Sequence, residues 1–292
     1  MNNKVCVLMS TYNGEKYVKR QIETLLYQKE VDISIVIRDD GSSDSTVDVI
    51  KKIESPRITI IEGENLGFAQ SFWNILKIVD GYDYYAFCDQ DDIWCNNKLI
   101  EAIKKIRDYN MPALYTSDVI AVDSKENIIK KNAFGVQGVI NYKESLIKSI
   151  LPGCTFVFNK QLKKELCKYD GYLISHDWIT YAIANLLGIV IFDRNSYIYY
   201  RIHDNNTIGI NNKMTTFKRK IKRFFCSDMR NTRSKVVMNI YRIYGEKLDL
   251  EEQKICYLLG NCSKKYKYTI QLLKYKEYRN IDFLLMLFLR RI

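Results

Sequence analysis

Through its first third the chain alternates short, mainly apolar runs with longer stretches in which apolar residues recur every three or four positions. Val5–Ser10, Ile33–Arg38, Ile58–Ile61 and Tyr84–Cys88 are of the first kind, with the length and β-branched content of strands covered on both faces. Lys16–Tyr27, Ser45–Ile53, Ala69–Val79 and a stretch from about Asn97 to Tyr109 are of the second kind and predict helices, with Ser43 and Asp44 placed to cap the second of them. Strand and helix in strict alternation predict an α/β fold with a mostly parallel, doubly wound sheet and right-handed crossovers.

The pattern then loosens. Ala113–Ser117, Val119–Val122 and Gly153–Asn159 read as strands, His176–Leu187 as a helix, and Ile189–Phe192 and Tyr197–Ile202 as two further strands. Beyond Ile210 the period is helical, and Phe217, Ile221, Phe224 and Phe225 share one helix face with Lys and Arg between them. The expected organisation is a main domain over residues 1–210 and a helical extension over 211–292. Only three prolines occur, and no Ser/Gly-rich tract separates the two parts, so no flexible linker is expected.

Charge sharpens that division. Residues 1–210 hold 25 Lys+Arg against 27 Asp+Glu, whereas residues 211–292 hold 20 against 7, so the net +11 of the chain comes from the extension. Lys and Arg alternate there with apolar and aromatic residues and no nucleic-acid motif accompanies them, which favours an anionic membrane surface over nucleic acid as partner. The eight cysteines are scattered, without a C-x-x-C pair or zinc-type spacing, and point to a reduced, cytoplasmic compartment. Thr11, Asn13 and Glu15 interrupt the apolar run Val5–Met9, so a secretory signal is not expected. The seven apolar residues from Phe283 to Leu289 fall short of the roughly 20 that span a bilayer.

Two of the strands stop abruptly in acidic residues, in IVIRDDGSSDST (Ile35 to Thr46) and YAFCDQDDIW (Tyr85 to Trp94). Asp39, Asp40, Asp89, Asp91 and Asp92 then emerge at the carboxyl edge of the sheet, where open α/β sheets bind ligands. Crowded carboxylates repel one another and are usually offset by cations or donor groups. A divalent metal and a phosphate-bearing ligand supply both.

The segments VCVLMSTYNGEKY, DDGSSDST, NLGFAQSFWN, CDQDDIW and HDW, in this order, resemble the motifs of glycosyltransferase family 2, enzymes of the GT-A fold, over roughly residues 3 to 209. That resemblance implies that Thr11, Tyr12 and Glu15 form the nucleotide side of the site, that Asp40 accepts a hydrogen bond from the imide of uracil or thymine, and that Asp89 faces the ribose. It places Mg²⁺ or Mn²⁺ at Asp91, with His203 at the metal or the diphosphate, and a general base at Asp177. Asp92 either supports the metal site or caps the next helix, and Arg201 either meets phosphate or faces solvent. Where many relatives carry an acid before the catalytic Asp, this chain has His176.

CDQDDIW and HDW look most like the bacterial rhamnosyltransferase branch. The implied activity is inverting, metal-dependent transfer from a nucleoside-diphosphate sugar, with dTDP-L-rhamnose as the indicated donor, to a hydroxyl of a lipid-linked or growing surface-polysaccharide acceptor. The basic extension would hold the enzyme at the inner face of the cell membrane. Two rivals differ in class. A sugar-phosphate nucleotidyltransferase needs a Gly-rich, Arg-containing loop after the first strand, and STYNGEKY is not one; a non-catalytic assembly subunit would not need Asp40, Asp91 and Asp177 intact.

Overall fold

The computed structural model describes residues 3–136, 138–139, 141–148, 151–202, 231–280 and 283–284. Its strands are β1 (Asn3–Thr11), β2 (Val31–Asp39), β3 (Ile58–Glu62), β4 (Tyr84–Cys88), β5 (Ile93–Trp94), β6 (Ala113–Ser117), β7 (Ile120–Val122), β8 (Ile128–Lys130), β9 (Val157–Asn159), β10 (Ile189–Asp193) and β11 (Ile198–Arg201). Seven of them form one sheet in the order β10-β6-β9-β4-β1-β2-β3. All its pairings are parallel except those of β9, which runs antiparallel between β4 and β6. The other four form a small sheet, β5-β11-β7-β8.

The helices are α1 (Val18–Leu26), α2 (Thr46–Lys51), α3 (Phe68–Ile78), α4 (Lys98–Ile106), α5 (Tyr142–Ser145), α6 (Lys160–Leu166), α7 (His176–Leu187), α8 (Thr232–Tyr244), α9 (Leu250–Asn261) and α10 (Tyr266–Leu272). Successive strand residues point to opposite faces, and this period of two splits the core. Val5, Val7 and Met9 of β1 join Ile22, Leu25, Leu99 and Ile103 on one face, while Cys6 and Leu8 join Phe72, Leu76, Phe158 and Ile183 on the other. The second cluster continues without a break into Val236, Ile240, Ile255 and Leu259 of α8 and α9. Over its described residues the expected extension is thus helical and shares a core with α3 and α7. Asp249 and Glu252 form a reciprocal capping box at the start of α9.

Register brings the acidic turns together. Thr11 pairs with Asp39 and Met9 with Cys88, so β1, β2 and β4 end almost level and the residues after them share one edge. One expected strand is shorter than its sequence suggests: Gly153–Thr155 is a 3₁₀ turn, and only Val157–Asn159 extends. There the Thr155 hydroxyl donates to the Pro152 carbonyl at 2.8 Å and Phe156 N to Gly153 O at 2.8 Å, holding the chain in a turn. Strands β5 and β8 and helices α5 and α6 have no counterpart in the expected elements. Among the described residues no helix is long and apolar enough to cross a membrane.

Candidate active site

The turn after β1 is tied to both acidic turns. Tyr12 N donates to Gln90 Oε1 at 2.9 Å and Gln90 Nε2 to Tyr12 O at 3.0 Å, so the middle residue of the D-x-D triplet pairs with a peptide group as a strand neighbour would. A Cβ on Gly14 would overlap the Gln90 carboxamide, so a larger residue here would push Gln90 off the Tyr12 peptide. Across the other gap Thr11 Oγ1 donates to Asp39 at 2.8 Å, Ser43 N to Asn13 Oδ1 at 2.8 Å and Ser45 N to Glu15 Oε2 at 2.9 Å. The Glu15 carboxylate therefore serves the first turn of α2, while the Tyr12 ring is left about half exposed beside the cleft.

Asp39 and Asp40 are both buried, with different partners. Asp39 accepts from Ser42 N at 2.7 Å and from the hydroxyls of Ser42 and Thr11. Asp40 pairs with the buried guanidinium of Arg38 and accepts from Leu66 N and Gly67 N, each at 2.9 Å. Arg38 also donates to Glu64 O, so the NLG loop before α3 is clamped to the end of β2 from both sides. With three protein donors on it, the Asp40 carboxylate keeps about one of its roughly four lone-pair sites for a ligand.

The D-x-D turn is electrostatically loaded. Burial, then repulsion by Asp91 and Asp177, pushes Asp89 up to about 7. Burial, then Asp91 and Asp89, pushes Asp92 well above the usual carboxylate range. Asp92 Oδ1 accepts from Arg201 N at 3.2 Å, and among the described residues Oδ2 has no hydrogen-bond partner. Ligand atoms of Asp89, Asp92 and Cys154 lie within 4.8 Å of one another. Burial holds the Cys154 thiol protonated, leaving carboxylate oxygens as the donors, a hard set that suits Mg²⁺ or Mn²⁺. A divalent cation would also offset the mutual repulsion of Asp89, Asp91 and Asp92 that adds to their burial, so the carboxylates of this turn fit the metal expected at Asp91.

Below the turn, Lys98 is fully buried with its Nζ 3.2 Å from the Trp94 ring centroid, and burial lowers it to about 7. Trp94 is accordingly a packing residue. Arg201 does not face solvent. It is 2% exposed, lies over the Tyr17 ring, and donates to Asp91 O at 2.9 Å, Ser124 O at 3.1 Å and Glu126 at 3.3 Å.

Asp177 opens α7, and its Oδ1 accepts from Ser175 Oγ and from Trp178 N at 2.7 Å. Burial raises it to about 6. Its charge adds to the rise of Asp89, so the start of α7 lies near the turn after β4. His176 stacks on Phe72 at 4.1 Å with the Phe87 edge at 4.8 Å, and burial lowers it to about 3, so its ring is neutral at working pH. A Cβ on Gly153 would stand 2.6 Å from His176 Nε2 and 3.2 Å from Asp177 Cβ, so the 3₁₀ turn packs directly on the start of α7. Thr11, Tyr12, Glu15, Asp40, Asp89, Asp91 and Asp177 thus all lie on the segments at this strand edge. His203 lies outside the described residues. Gln90, Arg38, Lys98 and Cys154 carry parts of the site that the sequence reading did not assign; a lone Arg inside the apolar run before Asp39–Asp40 was the one signal for Arg38.

The description of Glycosyl transferase family 2 matches residues 6–167, more than half of the chain and every segment of the cleft except α7 and β11. The chain belongs to glycosyl transferase family 2. This family 2 glycosyltransferase is 33% identical over 235 residues to the dTDP-rhamnosyl transferase RfbG of Shigella flexneri, covering 74% of this chain and 77% of that one, which places it in the rhamnosyltransferase-like branch. Over 203 residues it is 28% identical to the UDP-Glc:alpha-D-GlcNAc-diphosphoundecaprenol beta-1,3-glucosyltransferase WfaP of Escherichia coli, covering 68% of this chain and 77% of that one. Its fold is GT-A: the mannosyltransferase PcManGT from Pyrobaculum calidifontis, solved with GDP-Man and Mn²⁺, superposes with a TM-score of 0.56 at 15% identity, covering 99% of this chain and 86% of that one.

Proposed function

We propose that this glycosyltransferase moves rhamnose from dTDP-L-rhamnose, with inversion, to a hydroxyl of a lipid-linked or growing surface polysaccharide. The observation that carries the reading is that neighbouring residues of one 3₁₀ turn touch both groups, Gly153 packing on Asp177 while Cys154 lies beside the Asp89 and Asp92 carboxylates. The donor assignment draws on the similarity to RfbG, and the lipid-linked acceptor on the similarity to WfaP.

Asp177 takes the proton from the acceptor hydroxyl as its oxygen attacks the anomeric carbon, and the bond to the diphosphate breaks on the opposite side of the sugar. A base near 6 is ionised at neutral pH yet still basic enough to take the proton. Ser175 and the Trp178 amide fix its Oδ1, which leaves Oδ2 for the acceptor. Tyr12 and Asp40 hold the base of the nucleotide, Thr11 and Glu15 shape the turn around it, and Asp89 faces the ribose. Asp91, joined by His203, would hold Mg²⁺ or Mn²⁺, which supplies charge neutralisation to the departing nucleoside diphosphate. The basic extension sets the cleft beside the cytoplasmic leaflet, where a lipid-linked acceptor lies.

Incubating the purified protein and Mn²⁺ with a panel of nucleotide sugars, and measuring nucleoside diphosphate release, tests the reading. Release from dTDP-L-rhamnose above all others is expected. Release from another donor alone would overturn the sugar assignment, and release from none would overturn the transferase reading.

A further inference from the structure

Three rings from three elements close a triangle next to the acidic turn. Phe72 of α3 and Phe87 of β4 meet edge-on at 5.5 Å, His176 of α7 stacks on Phe72 at 4.1 Å, and the Phe87 edge stands 4.8 Å from His176. All three side chains are buried. Each lies close in sequence to a group of the site: Phe87 two residues before Asp89, His176 directly before Asp177, and Phe72 five residues after Gly67, whose N–H is on Asp40. The triangle therefore ties the D-x-D strand, the loop on Asp40 and the start of α7 to one packed point. Gly153 closes a further side, since a Cβ there would stand 2.6 Å from His176 Nε2.

Polar contacts do not account for His176. Among the described residues neither of its ring nitrogens has a hydrogen-bond partner, and burial keeps the ring neutral. Trp178, on the other side of Asp177, is held instead by a polar anchor, its Nε1 donating to Ser145 O at 2.7 Å. What His176 offers its neighbours is thus the faces and edges of a flat ring. Aromatic pairs at such separations attract with a preferred angle as well as a preferred distance. Side-chain direction is coupled to the backbone of a helix, so a ring fixed in this way also fixes the rotation of the first turn of α7.

We infer that His176 is a positioning residue for the transfer: its stacked ring, acting by shape rather than through a proton or a hydrogen bond, holds Asp177 at its distance from the acidic turn after β4. The inference rests on the base role proposed for Asp177 and adds what keeps that base in place against the donor. A displacement of about 1 Å at such a group lowers rate on the order of 10²-fold, so removal of the ring acts on turnover before it acts on donor binding.

The test compares His176→Ala, His176→Gln and His176→Phe in the full chain. Turnover is read as nucleoside diphosphate release from dTDP-L-rhamnose with Mn²⁺, water serving as the acceptor, and binding is read by titration with dTDP. His176→Ala and His176→Gln, which remove the ring, should each lower kcat about 10²-fold with dTDP affinity kept within about twofold. His176→Phe restores a flat ring without nitrogens and should recover about tenfold of that loss, with kcat/KM rising through the same pH midpoint as in the wild type. If thermal unfolding shows that the larger phenylalanine ring prevents folding, the other two variants decide: loss of turnover in both with dTDP affinity kept supports the inference, and wild-type turnover in His176→Gln beside a loss in His176→Ala overturns it. Wild-type turnover in His176→Ala, a fall in dTDP affinity as large as the fall in turnover, or recovery by His176→Gln rather than His176→Phe would overturn it as well. Asp177→Asn measured alongside separates the two levels of the claim. Full turnover there overturns the base role and this inference with it, whereas a deep loss there beside wild-type turnover in His176→Ala overturns this inference alone.

Discussion

Arg201 Nε donates a 2.9 Å hydrogen bond to the main-chain carbonyl of Asp91, joining the last strand of the small sheet to the middle of the acidic turn. The same residue gives its backbone N–H to Asp92 Oδ1, so two successive aspartates are set by one arginine. The small sheet thereby serves as the brace of the D-x-D turn.

Arg201→Met should accordingly act on the metal before the chemistry. Partners behind a ligand typically contribute 10- to 100-fold in metal affinity, and a loss of that order is expected for Mn²⁺ in the presence of dTDP. Nucleotide binding without metal should change little. Calorimetric titrations with and without Mn²⁺ separate the two; an equal loss in both would make Arg201 a general scaffold residue.

Asp40→Asn should lower stability by about 3–5 kcal/mol, because it leaves the buried Arg38 guanidinium without its counter-charge and loosens the loop at Leu66 and Gly67. Urea unfolding measures it. A variant as stable as wild type but weak in nucleotide binding would mean that the carboxylate serves the ligand alone.

The strands and helices that build the cleft were legible because each is coded locally. Val5–Ser10, Ile33–Arg38 and Tyr84–Cys88 are apolar runs with acidic stops, and Ser175 before His176–Leu187 marks a helix start. The braces were not legible, since Gln90 finds Tyr12 across 78 positions and Arg201 finds Asp91 across 110, and no local pattern encodes such pairs. Strand β5 is two residues long and β8 is exposed throughout, so neither shows a hydrophobic period. The burial of Asp92 and Lys98 follows from where β5 and α4 pack, which composition does not state.

Gly153→Ala tests the packing of the 3₁₀ turn on α7. The added methyl meets His176 Nε2 and Asp177 Cβ, so the start of α7 must shift. A displacement of about 1 Å at a base can lower turnover on the order of 10²-fold, and overpacking costs about 1–3 kcal/mol of stability. Donor binding should be spared. Steady-state kinetics with a parallel dTDP titration would show this, and unchanged turnover would mean that the turn yields instead.

Asp177→Asn should lower turnover by roughly 10²- to 10⁴-fold and yet stabilise the fold. Burial raises Asp177 to about 6 from 3.8, so the folded chain holds this proton more tightly than the unfolded chain. The group's stabilising contribution is full below pH 3.8, falls as pH rises through about 6, and is level above that. The amide keeps the oxygen that accepts from Trp178 N and carries no charge. The variant should be more stable than wild type by about 1–3 kcal/mol at pH 8, with the gap closing near pH 4. In the wild type, kcat/KM should rise with pH through about 6. A variant less stable than wild type at pH 8 would make Asp177 a helix-start residue.

The account's central claim, that the acidic turn after β4 holds the donor through a metal, is tested most directly by calorimetric titration of dTDP with Mn²⁺ into wild type and Asp91→Ala. A hard cation held by so few protein oxygens cannot spare one, so the wild type should bind dTDP far more tightly with Mn²⁺ than without. The variant should show the same weak binding in both conditions. Metal-dependent binding of wild-type strength in Asp91→Ala would contradict the account.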